Sequence, residues 1–326
     1  MSETNKYWTQ IVTKSGVSIL DILMPHGFPR NSFVMISGEA GTGKSAIVSE
    51  LAYRTLLEKE EPVIYVVDEN SPLSLYHRFL GLGWDIEPFI ESKSLRIIDG
   101  FSGLIEQSAY AKDQTPYIRF SEINQEIRER LDTVTTRIRD PDNIDLLFDN
   151  IYRWMNRLDM TNRGIIIFDS LTELYSRVGN NLFTNLKNIR ALACSLRFVP
   201  VWGVAHYGLS PTFPSGFDYL SDGLIDLRFE KTLMERGILV KQMRVRSMSG
   251  VKSYPIWVSF RIESNTGCVS TPHLIDDLKK ELSELESKFA KLNGFSQPEL
   301  PVSDKKLHDN NQHKDNVSSS ETIHKD

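Results

Sequence analysis

The chain has 326 residues, 40% of them hydrophobic and 25% charged, with a formal net charge of −5. That length suffices for one large domain with extensions, and the composition is that of an ordinary soluble globular protein. The acidic balance excludes a global electrostatic pull toward nucleic acid or an anionic membrane, and no apolar run reaches the length of a membrane span.

The opening "MSETNKYWTQ" is polar and carries no charged-then-apolar leader pattern, so the sequence reads as cytoplasmic. "SGVSILDIL" predicts a short helix, and "MPHGFPR" a turn. Residues 33–37 predict a buried strand that breaks at Gly38, and apolar Ile47, Val48, Leu51, Ala52 and Leu56 predict a helix from about Lys44 to Glu58. "PVIYVVDE" (63–69) reads as a second buried strand, "SLYHRFLGLGW" (74–84) as a helix and "LRIID" (95–99) as a third strand. "EINQEIRERLDTVTTRI" and "NIDLLFDNIYRWMNRL" both carry helical periodicity, with "RDPDN" as the turn between them.

"GIIIFDS" (164–170) is another apolar strand ending in a carboxylate, followed by a helix over about 180–197 and the strand "VPVWGVAH" (199–206). Short apolar strands alternating with amphipathic helices predict an α/β fold with a parallel sheet covered on both faces. From about residue 223, "GLIDLRFEK", "GILVKQMRVRS" and "YPIWVSFRI" read as successive strands, antiparallel at one edge. Leu278, Leu282, Leu285, Phe289 and Leu292 are spaced four, three, four, three, the stripe of a terminal helix that packs on its own domain or on a partner helix. The polar tail over 295–326 is expected to be disordered. Cys194 and Cys268 have no metal or redox spacing and read as packed thiols.

The chemistry is concentrated in "GEAGTGKSA". Gly38, Gly41, Gly43, Lys44 and Ser45 match G-x-x-x-x-G-K-[ST], the Walker A loop, between a predicted strand and a predicted helix. Loop glycines let backbone N–H groups turn inward around phosphates, and the following helix adds its positive end. The binding segment is Gly38, Glu39, Ala40, Gly41, Thr42, Gly43, Lys44, Ser45 and Ala46. Lys44 would bridge phosphate oxygens, and Ser45 would ligate Mg²⁺ together with Asp169 at the end of "IIIFD". Without the phosphate loop Asp169 would read first as a helix N-cap; with the loop present, the metal role is the expectation. At the end of the 63–67 strand, Glu69 or Asp68 could polarise a water for attack on the γ-phosphate; the competing reading is a pair of exposed loop carboxylates. His206 is placed either to sense the γ-phosphate or as a satisfied core histidine.

"SILDIL", "GFP", "GEAGTGKS", "DENSP" and "GWD", continued by "GIIIFDS", "LSDGLIDLRFE" and "MRVRSMSG", resemble the RecA-superfamily ATPases of the KaiC-like branch, over about residues 15–268. The resemblance implies a RecA-like P-loop core with a mostly parallel sheet and antiparallel edge strands near the C-terminal end. This core would span 1–270, with a longer helical segment at about 100–163, a heptad-patterned helix at 273–294 and the tail beyond. Aligning "DENSP" on the family's paired glutamates puts Glu69 on the first and Asn70 on the second, which favours Glu69 over Asp68 and implies slow hydrolysis. Arg244 and Arg246 match the spacing of the family's basic motif that reaches a neighbouring subunit's γ-phosphate. A homo-oligomeric ring, a hexamer among the options, is thereby implied, with ATP and ADP as ligands.

The resulting expectation is an ATP-binding, slowly hydrolysing, Mg²⁺-dependent signal-transducing ATPase, with protein partners at 100–163 or on the C-terminal helix. The alternatives are a RecA/RadA-like DNA recombination paralogue and a non-hydrolysing ATP-sensing scaffold. "YGLSPTFPSGFDYLSD" (207–222) has two acidic residues and no Lys or Arg, which disfavours the nucleic-acid alternative without removing it.

Overall fold

In the computed structural model of the chain, residues 11–103, 125–206 and 216–292 are described. β1 (Val12–Thr13), α1 (Ser18–Leu23) and β2 (Phe28–Pro29) precede the first long strand, β3 (Phe33–Gly38). α2 (Lys44–Glu58), β4 (Val63–Val67), α3 (Pro72–Gly81), α4 (Glu87–Glu91) and β5 (Leu95–Asp99) follow. Beyond residues 104–124 come α5 (Gln125–Asp132), β6 (Thr135–Arg137), α6 (Ile144–Arg157), β7 (Ile165–Asp169), α7 (Leu171–Val178) and α8 (Asn181–Ile189). A π-helical stretch, Arg190–Leu196, extends α8 before β8 (Val201–His206) and α9 (Gly216–Leu220). β9 (Gly223–Phe229), α10 (Lys231–Met234), β10 (Lys241–Met248), β11 (Val258–Glu263), β12 (Gly267–Ser270) and α11 (Leu274–Leu292) complete the chain.

Ten strands form one sheet in the order β12-β11-β10-β9-β3-β8-β7-β4-β5-β6, while β1 and β2 pair separately. Every pairing from β9 to β6 is parallel, and the three from β9 to β12 are antiparallel. The fold is thus mixed α/β with a mostly parallel sheet and an antiparallel extension near the C-terminal end. β9 itself belongs to both halves, parallel to β3 and antiparallel to β10. The boundary between two compact units falls inside α11, after Lys279.

Strand periodicity explains the core. In β3 and β4, Val34, Ile36, Val63, Tyr65 and Val67 point to one face and pack among Ile47, Val48 and Leu51 of α2 and Phe79 of α3. Phe33, Met35, Ile64 and Val66 point to the other and pack among Leu147, Phe148 and Ile151 of α6 and Leu186 of α8. Covered on both faces, these strands read as continuous apolar runs. Each such aliphatic side chain contributes about 1.5–3 kcal/mol by leaving water, and Phe168→Ala at the centre would cost about 3–5 kcal/mol.

Two expectations need correction. "TVTTRI" is not helical: α5 stops at Asp132, and Thr135–Arg137 pair parallel with Ile97–Asp99. The β-branched Thr133–Thr136 run favours an extended, half-buried edge over a helix. The helix over 180–197 is α-helical only to Ile189 and widens into a π-helix after it. Both cysteines are free and buried, and burial pushes the Cys194 thiol up to about 12. Among the described residues no helix is long and apolar enough to cross a membrane. The expectations for 104–124, 207–215 and 295–326 lie outside the described residues.

Candidate functional site

Parallel strands in register end at one level, so the side chains that follow them gather along one rim. Gly38 of β3 pairs with His206 of β8, and Val67 of β4 lies between Asp99 of β5 and Asp169 of β7. The loop 38–46 leaves this rim and enters α2. Gly43 stands at the helix entry with φ +100°, a left-handed conformation that L side chains resist, and α2 has no side-chain cap. The first backbone N–H groups of a 15-residue helix therefore point outward without an internal acceptor. Gly38 serves a second purpose: a Cβ there would lie 2.4 Å from the carbonyl oxygen of Leu227, so only glycine lets β3 and β9 close up at the mouth of the loop.

Lys44 curls back into the loop, donating to the carbonyl oxygens of Gly38 at 2.9 Å and Glu39 at 2.6 Å. Burial lowers its pKa to about 8, against the opposing charges of Glu69, Asp169 and Glu39. The Ser45 hydroxyl donates to Asp169 Oδ1 at 2.9 Å across 124 residues of sequence. The other oxygen, Asp169 Oδ2, accepts from the Tyr65 hydroxyl at 3.0 Å and from Arg78 at 2.7 Å. Asp169 is thus a buried carboxylate held by β4, α3 and the phosphate loop. The Ser45–Asp169 pair presents two hard oxygen ligands side by side, a partial shell that suits Mg²⁺ when phosphate and water complete it. Among the described residues no group of three or more His, Cys, Asp and Glu is placed to cage a metal without such help.

Asp68 and Glu69 diverge, although they are neighbours. Asp68 is buried and bonded to Arg177 of α7, which also donates to the Pro141 carbonyl. Burial pushes its carboxyl up to about 6, against the pull of Arg177. Glu69 is 38% exposed and meets His206 Nε2 at 3.1 Å. The bond to His206 holds its carboxyl below the usual range, against partial burial. The histidine is itself fixed through its backbone N–H, which donates to Thr172 Oγ1 at 2.8 Å.

Arg244 and Arg246 lie apart from this cluster, on β10, which β9 separates from β3. Arg244 bonds Asp226 at 2.9 Å, and Arg246 bonds Asp218 at 3.0 Å and Asp226 at 3.2 Å. Each arginine is about a third exposed, whereas their shared partner Asp226 is 14% exposed and also accepts from Ser37 Oγ of β3 at 3.3 Å. Sequence reasoning did not single out Arg78, Tyr65, Arg177 or Lys241, whose side chain lies beside Gly43. Tyr65 could have been found from the sequence, as a lone hydroxyl in an otherwise apolar buried strand needs a polar partner.

A family model described as "ATPase: KaiC" matches residues 13–189. A UPF0273 protein of Methanocaldococcus jannaschii is 26% identical over 272 residues, covering 82% of this chain and 98% of its own. A UPF0273 protein of Thermotoga maritima is 26% identical over 72% of this chain and 88% of its own. The circadian clock oscillator protein KaiC of Prochlorococcus marinus is 27% identical over 44% of this chain, which spans only 29% of that longer protein. The crystal structure of a KaiC-like protein from Pyrococcus horikoshii superposes with a TM-score of 0.60 at 19% identity, over 80% of this chain and 99% of its own.

Proposed function

The chain belongs to the KaiC family of ATPases, and on that premise we propose that it hydrolyses ATP slowly, with Mg²⁺, at a site shared between subunits, as a regulatory switch. The observation that carries this reading is the Ser45–Asp169 contact at the mouth of the phosphate loop, with the Glu69–His206 pair on the same rim. Lys44 and the outward N–H groups of α2 would hold the β- and γ-phosphates. Ser45 and Asp169 would hold Mg²⁺, which supplies charge neutralisation on the phosphate oxygens.

Glu69 is the candidate base. Its carboxylate accepts a proton from water as the water oxygen bonds to the γ-phosphorus, while the bond to the β-phosphate oxygen breaks and ADP leaves. Asp68 is less suited, because it is buried and tied to Arg177. Arg244 and Arg246 act in trans in this reading, so they must leave Asp226 and Asp218 to neutralise a neighbour's γ-phosphate. That exchange would couple turnover to assembly. Asn70 in place of a second acidic group supports slow chemistry.

ATP turnover measured across a protein concentration series, beside Glu69→Gln and Arg246→Ala, tests the reading. Specific activity should rise with concentration and be lost in both variants. Tight ATP binding without turnover in the parent would instead identify a nucleotide-gated scaffold, and salt-dependent DNA binding would favour the recombination alternative.

A further inference from the structure

α11 runs 19 residues without Gly or Pro, about 28 Å of helix, with Asp276 and Asp277 in its first turn where the helix dipole favours them. Its heptad assigns Ile275, Leu282 and Phe289 to the a positions and Leu278, Leu285 and residue 292 to the d positions. Leu285 is 50% exposed and Phe289 62% exposed, so the seam is incompletely covered within the chain. An apolar seam open to water wants a second helix, and the flanking charges say which way that helix runs.

The g positions hold Glu281 and Lys288, and the e positions Lys279 and Glu286. In a parallel, in-register pair, each g residue meets the e residue five places on in the partner, which sets Glu281 against Glu286 twice. In an antiparallel pair, g meets g and e meets e. Opposing Leu282 with Leu285 and Leu278 with Phe289 sets Glu281 against Lys288 twice and Lys279 against Glu286 twice. The same register aligns every a with a d of the partner, Ile275 with residue 292 included. One direction therefore gives two like-charge contacts, and the other four attractive ones around a two-fold axis.

We propose that α11 pairs antiparallel with α11 of a second copy of this chain. The pairing joins two copies of the chain through their C-terminal helices. It is separate from any contact that brings a neighbour's arginines to a phosphate loop, and it does not depend on the functional reading above.

Sedimentation velocity of the full chain at low salt without nucleotide tests it, with Glu281→Lys, Lys288→Glu and the double exchange. Either single exchange turns two attractive contacts into two repulsive ones and should weaken the pair about tenfold, whereas the double exchange should restore it to within about threefold. Tighter pairing in Glu281→Lys would mean a parallel helix pair and would overturn the proposal. Unchanged mass in all three variants, or a parent monomeric up to about 100 µM, would do the same. Because both exchanges lie on an exposed helix face, recovery in the double variant separates a lost contact from a lost fold.

Discussion

On the parallel centre of the sheet the acidic groups are held from inside the protein, whereas on the antiparallel extension the basic groups are held at its surface. Asp169 is buried and engages three partners from three elements; Asp68 is buried against Arg177. Arg244 and Arg246 share Asp226, with roughly a third of each arginine side chain exposed. Buried charges lose several kcal/mol when a partner is removed, while exposed pairs are worth about 1 kcal/mol or less. The acidic half is therefore rigid and the basic half exchangeable, as a site completed by a neighbour would require.

Asp169→Asn should break the rigid half most severely. It keeps the shape but weakens the acceptor for Ser45, Tyr65 and Arg78, and ATP turnover should fall about 10³-fold, roughly 4 kcal/mol of barrier. Turnover within tenfold of the parent, in a variant that still unfolds cooperatively above the assay temperature, would take Asp169 out of the site.

Arg177→Met leaves Asp68 buried and unpaired, and should cost about 3 kcal/mol of stability, seen as a Tm lower by several degrees. Replacing both, as Arg177→Met with Asp68→Leu, should recover most of that loss. A double variant no better than the single would mean that Arg177 acts through Pro141 instead.

The pH dependence sharpens the same point. The folded chain binds the Asp68 proton more tightly than the unfolded chain, because burial lifts its pKa from 3.8 to about 6. Its stabilising contribution is complete below the unfolded value and is lost as pH rises through about 6. Compared with Asp68→Asn, the parent should gain up to about 1.4 kcal/mol per unit of acidification between pH 6 and 4. Thermal denaturation of both proteins at pH 6.5, 5.5 and 4.5 measures this, and a constant Tm difference would refute it. The smallest effect is expected at Asp218→Asn, where both partners of the Arg246 pair are about a third exposed: about 1 kcal/mol or less by denaturant titration. A loss as large as that of Arg177→Met would erase the contrast between the two halves.

What was legible in the sequence follows from how far apart cooperating residues stand. The phosphate loop is contiguous, and its chemistry depends on backbone and helix entry, so nine adjacent residues carry the whole pattern. The alternation of apolar runs likewise exposed the parallel sheet, because double-sided burial writes itself into each strand. Arg78 and Arg177 were invisible for the opposite reason: their partners stand 91 and 109 residues away, and only the crossing of α3 and α7 over the rim joins them. β6 was hidden because "RERLD" gives a helical phase that runs on into the β-branched residues after it. β12, only Gly267–Ser270, lacks the apolar density that marks a strand and exists by pairing with β11.

Trp257 gives the exchangeable half an optical gauge. Its indole lies 3.9 Å from the guanidinium of Arg228 and 4.6 Å from that of Arg244. Emission from an indole responds to a cation on its ring, so displacement of Arg244 from Asp226 registers in the fluorescence of a residue the protein already contains. Trp84 and Trp202 are fully buried and Trp154 stacks on Arg96; a difference spectrum against Trp257→Phe isolates the signal from these and from Trp8. If Arg244 leaves Asp226 as proposed, its release can then be followed in real time, without a label.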